Sequence, residues 1–212
     1  QWNPSGISVL LSSFLVFAGS AISEEFLFRG FVFQRLIWST QESKKTKMNN
    51  SILYFLYSIF ISIGATLTFD LWGLFLRYVF NIPPSNFCLV GRWILYMPEG
   101  LFRHANIGSV PQKSAECTVG WVIHYLTGIA FALTFIALAG TRWFEHPTLI
   151  SALVFGLLTV SAPFFIMQPA FGLGVAASRT AKPAQARLRS LINHFVFGFG
   201  LYIFGSLVHL LL

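Results

Sequence analysis

Formal charge is scarce in this sequence. Asp, Glu, Lys and Arg make up 10% of its 212 residues, whereas a soluble domain is nearer to about a quarter charged. The charge-free runs approach or exceed the roughly 20 apolar residues that cross a bilayer. They are residues 1–23, 51–69, 118–141, 149–178 and 190–212. A soluble domain could not bury so many apolar helices, so the composition predicts an all-α, polytopic bundle of about five membrane helices, with the lipid bilayer as its surroundings.

Cysteine is equally rare, and Cys88 and Cys117 are the two thiols of the chain. Their spacing is not that of a metal site, and a disulfide would require a loop that faces an oxidising compartment. We therefore expect two unpaired thiols. Residues 1–23 lack a basic start and a small-residue cleavage site, which favours a membrane helix over a removed signal peptide.

The net charge of +7 bears on topology, because no basic stretch is interleaved with aromatic residues as in a nucleic-acid-binding module. We expect no nucleic-acid partner. Residues 81–117 and 178–189 hold more basic side chains than the opposite loops, which favours a cytoplasmic position for them under the positive-inside rule. The lysines of residues 44–47 argue for the reverse orientation.

A polar run at residues 39–47 divides the chain into two parts. Before it lies an N-terminal membrane passage, residues 1–38, and after it a four-helix membrane domain, residues 48–212. In the second part we predict membrane segments at 51–80, 118–140, 148–172 and 190–212, and a short interfacial helix at 87–97. Pro163 and Pro169 predict a kink in the third of these segments. Stripes of small residues would allow close helix contact and a homo-oligomer.

Several polar side chains fall inside the predicted membrane segments. Charges at that depth are costly unless they are paired or hydrated, so they are functional candidates. They are Asp70, Arg77, His124, His194 and His209. In the alternative without function, Arg77 reaches the head groups and Asp70 bonds a neighbouring helix. In the functional interpretation, Asp70, the prolines and the histidines belong to a small transporter.

The densest group of ionisable residues in an apolar segment is Glu24, Glu25 and Arg29. Glu25 and Arg29 are four residues apart and can pair on one helix face. Glu24 is rotated away from them by about a hundred degrees. One carboxylate could thus act as a base or metal ligand while the arginine orients the other, as a metal-activated water requires.

This segment, Glu-Glu-Phe-Leu-Phe-Arg, resembles the first motif of the CAAX protease and bacteriocin-processing family of intramembrane metalloproteases. The resemblance implies that Glu24, Glu25 and Arg29 are catalytic and that peptides are cleaved at the membrane by a glutamate-activated water. It also implies Zn²⁺ or another divalent metal, for which His124 and His194 are the candidate ligands. The family's later motifs, Phe-x-x-x-His and His-x-x-x-Asn/Asp, are missing.

Residues 48–212 resemble a different family, uncharacterised short bacterial membrane proteins known as domain of unknown function 2938. The resemblance implies four membrane helices and no known activity. It rests on stretches such as Gly64–Trp72, Leu89–Trp93, Gly120–Tyr125, Pro163–Pro169 and Ala177–Ser190.

We therefore favour an integral protein of the bacterial inner membrane without a complete protease site and without a cofactor. An intramembrane metalloprotease acting on a membrane peptide is the first alternative. A small transporter-like protein is the second.

Overall fold

The computed structural model of the protein describes residues 51–210. These residues form helices joined by loops, and they include no β-strand. The main helices are α1 (Ser51–Phe80), α2 (Phe87–Tyr96), α3 (Glu116–Ala139), α4 (Leu149–Ala170) and α5 (Pro183–His209). All except α2 are long and apolar enough to cross a membrane. The predicted N-terminal passage and the polar linker lie outside the described residues.

The four long helices coincide with the four segments predicted after residue 50, but α5 begins earlier than the prediction. It starts at Pro183 instead of residue 190, so that Arg187 and Arg189 belong to its first turns. Proline suits the first position of a helix because its missing N–H has no helical acceptor there. Long arginine side chains can reach from the end of an apolar helix to the polar interface. The prediction counted only the charge-free run, so it placed the start of the helix after Arg187 and Arg189.

The interruption predicted near Pro163 and Pro169 is present in α4. The helix is regular from Leu149 to Leu158 and takes a π-helical turn at Pro163–Met167. A π turn is a common result when a helix loses a backbone donor, as proline requires. After α4 the chain turns sharply at Gly172 and Gly174, which have φ angles of 85° and 75°.

Small residues bring the long helices together. A Cβ atom at Gly156 of α4 would lie 2.6 Å from the Cα atom of Gly198 in α5, and one at Gly200 would lie 2.7 Å from the Cα atom of Ala65 in α1. Gly128 of α3 likewise faces the Thr66 hydroxyl of α1. The small-residue faces are thus used inside the chain, and a homo-oligomer stays a prediction.

The outward surfaces of the long helices are apolar. Large hydrophobic side chains are strongly exposed on them, with Leu138 at 75%, Ile150 at 77% and Leu158 at 65% of their full exposure. A continuous apolar surface of this kind is unfavourable in water and is expected against lipid. The core lies at the opposite side of the same helices, around Ile61, Phe135, Phe144 and Leu201.

A disulfide joins α2 to the start of α3. The sulfurs of Cys88 and Cys117 are bonded, so the expectation of two unpaired thiols was wrong. The two cysteines lie far apart in the sequence but on helices whose backbones touch. Gly91 of α2 lies against the Glu116 carbonyl, and Gly120 of α3 lies against the Phe87 carbonyl. The disulfide closes a contact that these glycines already make possible.

A buried ion pair fixes the same junction. The Arg92 guanidinium donates two hydrogen bonds to the Glu116 carboxylate, at 2.8 and 2.7 Å. It also donates to the carbonyls of Ile107 and Val110, at 3.2 and 3.0 Å. The hydrogen bond with Glu116 raises the pKa of Arg92, so the guanidinium stays charged. A buried pair is tolerated when its remaining donors find acceptors, as they do here.

These contacts alter the charge count behind the predicted orientation. Arg92 is paired with Glu116, and Lys113 is paired with Glu99. Neither cation is therefore a free positive charge of the loop. In addition, the disulfide requires an oxidising environment, which argues against the cytoplasmic position expected for residues 81–117.

The disulfide leads to a labelling prediction. Because the two cysteines are the only ones in the chain, the denatured, unreduced protein is expected to react with no maleimide-polyethylene glycol. After reduction it is expected to react with two. Mobility on a denaturing gel measures the number of labels, and two labels without reduction would contradict the structure.

Replacing Gly120 with Ala is expected to destabilise the α2–α3 junction. The new methyl group would collide with the Phe87 backbone carbonyl, and such overpacking typically costs about 1–3 kcal/mol. Thermal unfolding in detergent measures the loss. Gly108→Ala is the matched control, because its nearest neighbour is the movable Asn106 side chain at 3.2 Å. Equal unfolding temperatures for the two variants would show that the helices are not in contact.

Candidate functional site

Each long helix contributes polar side chains to one layer of the bundle. Asp70 lies ten residues before the end of α1, and His124 lies eight residues after the start of α3. Thr159 is eleven residues before the end of α4, and His194 is eleven residues after the start of α5. At 1.5 Å per residue, all four lie about 12–17 Å from those helix ends. We call Asp70, His124, Tyr125, Thr159 and His194 the polar layer.

The last residues of α1 and α4 and the first residues of α3 and α5 lie at the same end of the bundle. The backbone N–H of His104, in the segment between α2 and α3, donates to the Ala170 carbonyl at the end of α4 (2.8 Å). The N–H of Ile107 donates to the Phe171 carbonyl at 3.2 Å. We call this end, which carries residues 81–115 and 171–182, the loop end.

Asp70 is the acceptor at the centre of the layer. Its carboxylate oxygens lie 3.0 Å from Nε2 of His124 and 3.1 Å from the hydroxyl oxygen of Tyr125. A carboxylate only accepts hydrogen bonds, so the proton of His124 is on Nε2 and Nδ1 is left as an acceptor when the ring is neutral. The Phe87 ring stacks on His124 at a centroid distance of 3.8 Å and holds the imidazole plane in place.

His194 has a different partner. Its Nδ1 lies 2.7 Å from the Thr159 hydroxyl, which itself donates to the Gly156 carbonyl at 2.5 Å. Because that hydroxyl hydrogen is already used, Nδ1 of His194 carries the donated proton and Nε2 is an acceptor. The Phe69 ring lies near both histidines, at centroid distances of 5.5 Å from His124 and 6.3 Å from His194. The two imidazoles thus have distinct hydrogen-bond partners beside one aromatic ring.

A cavity of about 1210 Å³ extends from the loop end past the polar layer, because Thr66, Phe131 and Phe197 also line it. Its lining is mainly apolar, which is typical of small-molecule sites. Four of the lining residues carry a buried polar atom without a hydrogen-bond partner in the described part of the chain, and such atoms are costly. They are Thr66 Oγ1, Trp72 Nε1, Gln168 Oε1 and Asn193 Oδ1.

The charge of the described lining has one sign. Lys182, the last residue of the loop end, and Arg189, in the second turn of α5, line the cavity, and its described lining includes no Asp or Glu. Neither cation has an ion-pair partner between residues 51 and 210. On α5, Arg189, Asn193 and Phe197 recur at intervals of four residues, so they follow one helix face. That face runs from the charged mouth into the apolar interior.

The structure separates the remaining candidates from this site. Arg77 is exposed in the last turns of α1. His209 is exposed at the other end of the bundle, with its ring 6.3 Å from that of His146. Glu24, Glu25 and Arg29 lie outside the described residues. Between residues 51 and 210, no three His, Cys, Asp or Glu side chains come together as a metal site would require.

Sequence reasoning identified Asp70, His124 and His194 but missed two members of the polar layer. Tyr125 directly follows His124, and its hydroxyl is an ordinary partner for a buried carboxylate. Thr159 precedes the predicted kink of α4, and a threonine near a helix irregularity is a signal that its hydroxyl is hydrogen-bonded to the backbone. The unpartnered Gln168 and Asn193 gave no signal in the sequence, because burial alone makes them notable.

Comparisons with known proteins give a family but no activity. No curated protein and no solved structure matches the chain. The resemblance of the Glu24–Arg29 segment to CAAX proteases stays a prediction. A family model described as "Protein of unknown function (DUF2938)" matches residues 59–208, which span all but the first turns of α1 and nearly all of α5. The chain therefore belongs to this family of proteins of unknown function.

Proposed function

We propose that the chain is a polytopic protein of the bacterial cytoplasmic membrane, of the small-transporter type, which binds an amphipathic small molecule in its cavity. The observation that carries the proposal is the cavity of about 1210 Å³ that extends from the loop end past the polar layer. Its walls are mainly apolar, whereas its mouth is charged and the polar layer adds two imidazoles inside it. A molecule with a polar head and an apolar tail matches that distribution.

The polar layer supports the proposal from inside the cavity. His124 and His194 line the cavity, and each retains one ring nitrogen that its protein partner does not use. A buried imidazole in an apolar bundle needs its second nitrogen hydrated or bonded. The polar layer therefore provides hydrogen-bond acceptors between the helix ends, where a transported molecule would have to pass.

The disulfide supports an orientation for this membrane protein. Cysteine pairs persist in the periplasm and other oxidising compartments and are rare in the cytoplasm. Cys88 and Cys117 belong to the loop end, and so does the mouth of the cavity. We therefore propose that the mouth opens to the oxidising side of the membrane and that the first residues of α1 lie on the cytoplasmic side.

The protease hypothesis has less support within the described residues. Its candidate ligands, His124 and His194, are bonded to Asp70 and Thr159 through one ring nitrogen each, which leaves a single nitrogen on each ring for a metal. Two histidines without a nearby third ligand would hold a metal weakly, since catalytic zinc sites generally use three protein ligands.

Filling the cavity is expected to abolish binding. Ala186 of α5 lines the cavity, so Ala186→Trp would place an indole where the apolar tail lies. With dodecyl phosphate and dodecanol as probes, we expect the dissociation constants to rise about tenfold or more, because a displaced tail loses about 0.8 kcal/mol for each buried methylene. Native mass spectrometry of the detergent-solubilised protein measures the bound fraction of each probe.

The matched control is Ala184→Trp, two residues away on the same helix. Ala184 is exposed and does not line this cavity, so its variant is expected to bind as the unaltered chain does. Binding of neither probe to the unaltered chain would overturn the proposed function. Equal loss in both variants would show that the tryptophan acts on folding instead of on the cavity.

A further inference from the structure

We infer that Arg189, Lys182 and Gln168 form a head-group site for a phosphate ester whose alkyl chain lies in the cavity. This inference rests on the proposed function and adds the chemical class of the ligand. It assigns a role to two cations, Arg189 and Lys182, that have no ion-pair partner among the described residues. The ligand is a monoalkyl or glycerol phosphate amphiphile that enters from the loop end.

The first support is the charge at the mouth. Arg189, on α5, and Lys182, the residue before its start, line the cavity without a carboxylate partner among the described residues. Elsewhere in the loop end, Arg92 and Lys113 are paired with Glu116 and Glu99. Arg103 and Arg179 are exposed and do not line the cavity. Unpaired cations beside an apolar cavity favour an anionic ligand, and a guanidinium binds phosphate oxygens with two parallel hydrogen bonds.

The second support is independent of charge. Gln168 is 6% exposed and lines the cavity, and its Oε1 has no hydrogen-bond partner in the described part of the chain. Its Nε2 donates to Ser190, the residue after Arg189, at 3.3 Å. This hydrogen bond ties the amide to the turn of α5 that carries Arg189. Asn193, one turn beyond Arg189, also lines the cavity and has a second acceptor, Oδ1, without a described partner.

The unpaired cations and the unpartnered carbonyl oxygens together limit the chemical class of the head group. Cations at the mouth require negative oxygens, whereas the carbonyl oxygens of Gln168 and Asn193 require a donor. A carboxylate supplies only acceptors. A phosphate monoester supplies both kinds of group while one of its oxygens is protonated, and a glycerol phosphate supplies the donor through its hydroxyl. A phosphate ester therefore satisfies the site and a simple fatty acid does not.

The face of α5 that carries Arg189 also indicates where the alkyl tail of the ligand lies. Phe197 lies eight residues beyond Arg189, which is about 12 Å along the helix axis, and it is buried beside the cavity. A phosphate held at Arg189 thus leaves a path below it that passes His194 of the polar layer, about 7.5 Å from Arg189 along the helix axis, and ends beside Phe197. The full length suits a medium alkyl chain, which is the reason for dodecyl probes.

The test compares three probes on the full chain in detergent micelles by isothermal titration calorimetry, with empty micelles as the blank. They are dodecyl phosphate, dodecanol and inorganic phosphate. We expect dodecyl phosphate to bind about ten- to a hundredfold more tightly than dodecanol, because charge-assisted hydrogen bonds contribute about 1.5–3 kcal/mol. Inorganic phosphate is expected to compete only weakly, since it has no tail.

The variants Arg189→Gln and Arg189→Gln/Lys182→Gln are expected to lose most of the difference between dodecyl phosphate and dodecanol while they still bind dodecanol. Arg179→Gln removes the same charge from an exposed position that does not line the cavity, and it is expected to keep the difference. Unfolding temperatures of the three variants establish that they are folded.

The outcomes separate this inference from the proposed function. Equal binding of dodecyl phosphate and dodecanol, unchanged in the variants, would overturn the head-group site and leave the amphiphile cavity standing. Inorganic phosphate that competes as well as dodecyl phosphate would overturn the assignment to an amphiphile and identify a free anion as the ligand. Binding of neither dodecyl probe would overturn both.

Discussion

The interaction on which the site depends is the hydrogen bonding of Asp70 inside an apolar bundle. A carboxylate at this depth is costly unless donors surround it. His124 and Tyr125, neighbours on α3, provide two donors at 3.0 and 3.1 Å. Sliding α1 against α3 by one turn would move Asp70 about 5.4 Å away from both. The pairing therefore sets the relative height of the two helices, and with it the depth at which His124 lines the cavity.

The other end of the bundle is held by covalent and ionic contacts. The disulfide, the pair of Arg92 with Glu116 and the glycine contacts fix α2 on α3. Because Phe87 belongs to α2 and stacks on His124, the same junction also positions one wall of the cavity. The loop end and the polar layer are thus mechanically connected through α2. A ligand at the mouth would rest on a rigid rim, while α4, with its π turn, forms the less regular wall.

The sequence predicts the helices well because their signal is local. Charge-free runs located the four long helices, and Pro163 located the irregular part of α4. Asp70 and His124 were recognised individually as costly residues. Their pairing was not predicted, because they lie 54 residues apart, and the nearest charge by helix spacing was Arg77.

The wrong predictions also concern contacts between residues that are far apart in the sequence. Cys88 and Cys117 gave no sign of bonding, because the approach of α2 and α3 depends on Gly91 and Gly120, whose partners are backbone carbonyls. The basic residues of the loop end were counted as free charges, although Glu116 and Glu99 neutralise two of them. The cavity itself has no local signal at all, since it arises from five helices that do not fill the space between them.

Cryo-electron microscopy of the full chain in lipid nanodiscs with dodecyl phosphate tests the central claim most directly. The account predicts density for one alkyl chain in the cavity, with the phosphate at about 2.7–2.9 Å from the Arg189 guanidinium and the tail running past the polar layer toward Phe197. A cavity that is closed, or filled by residues 1–50 of the chain itself, would contradict it.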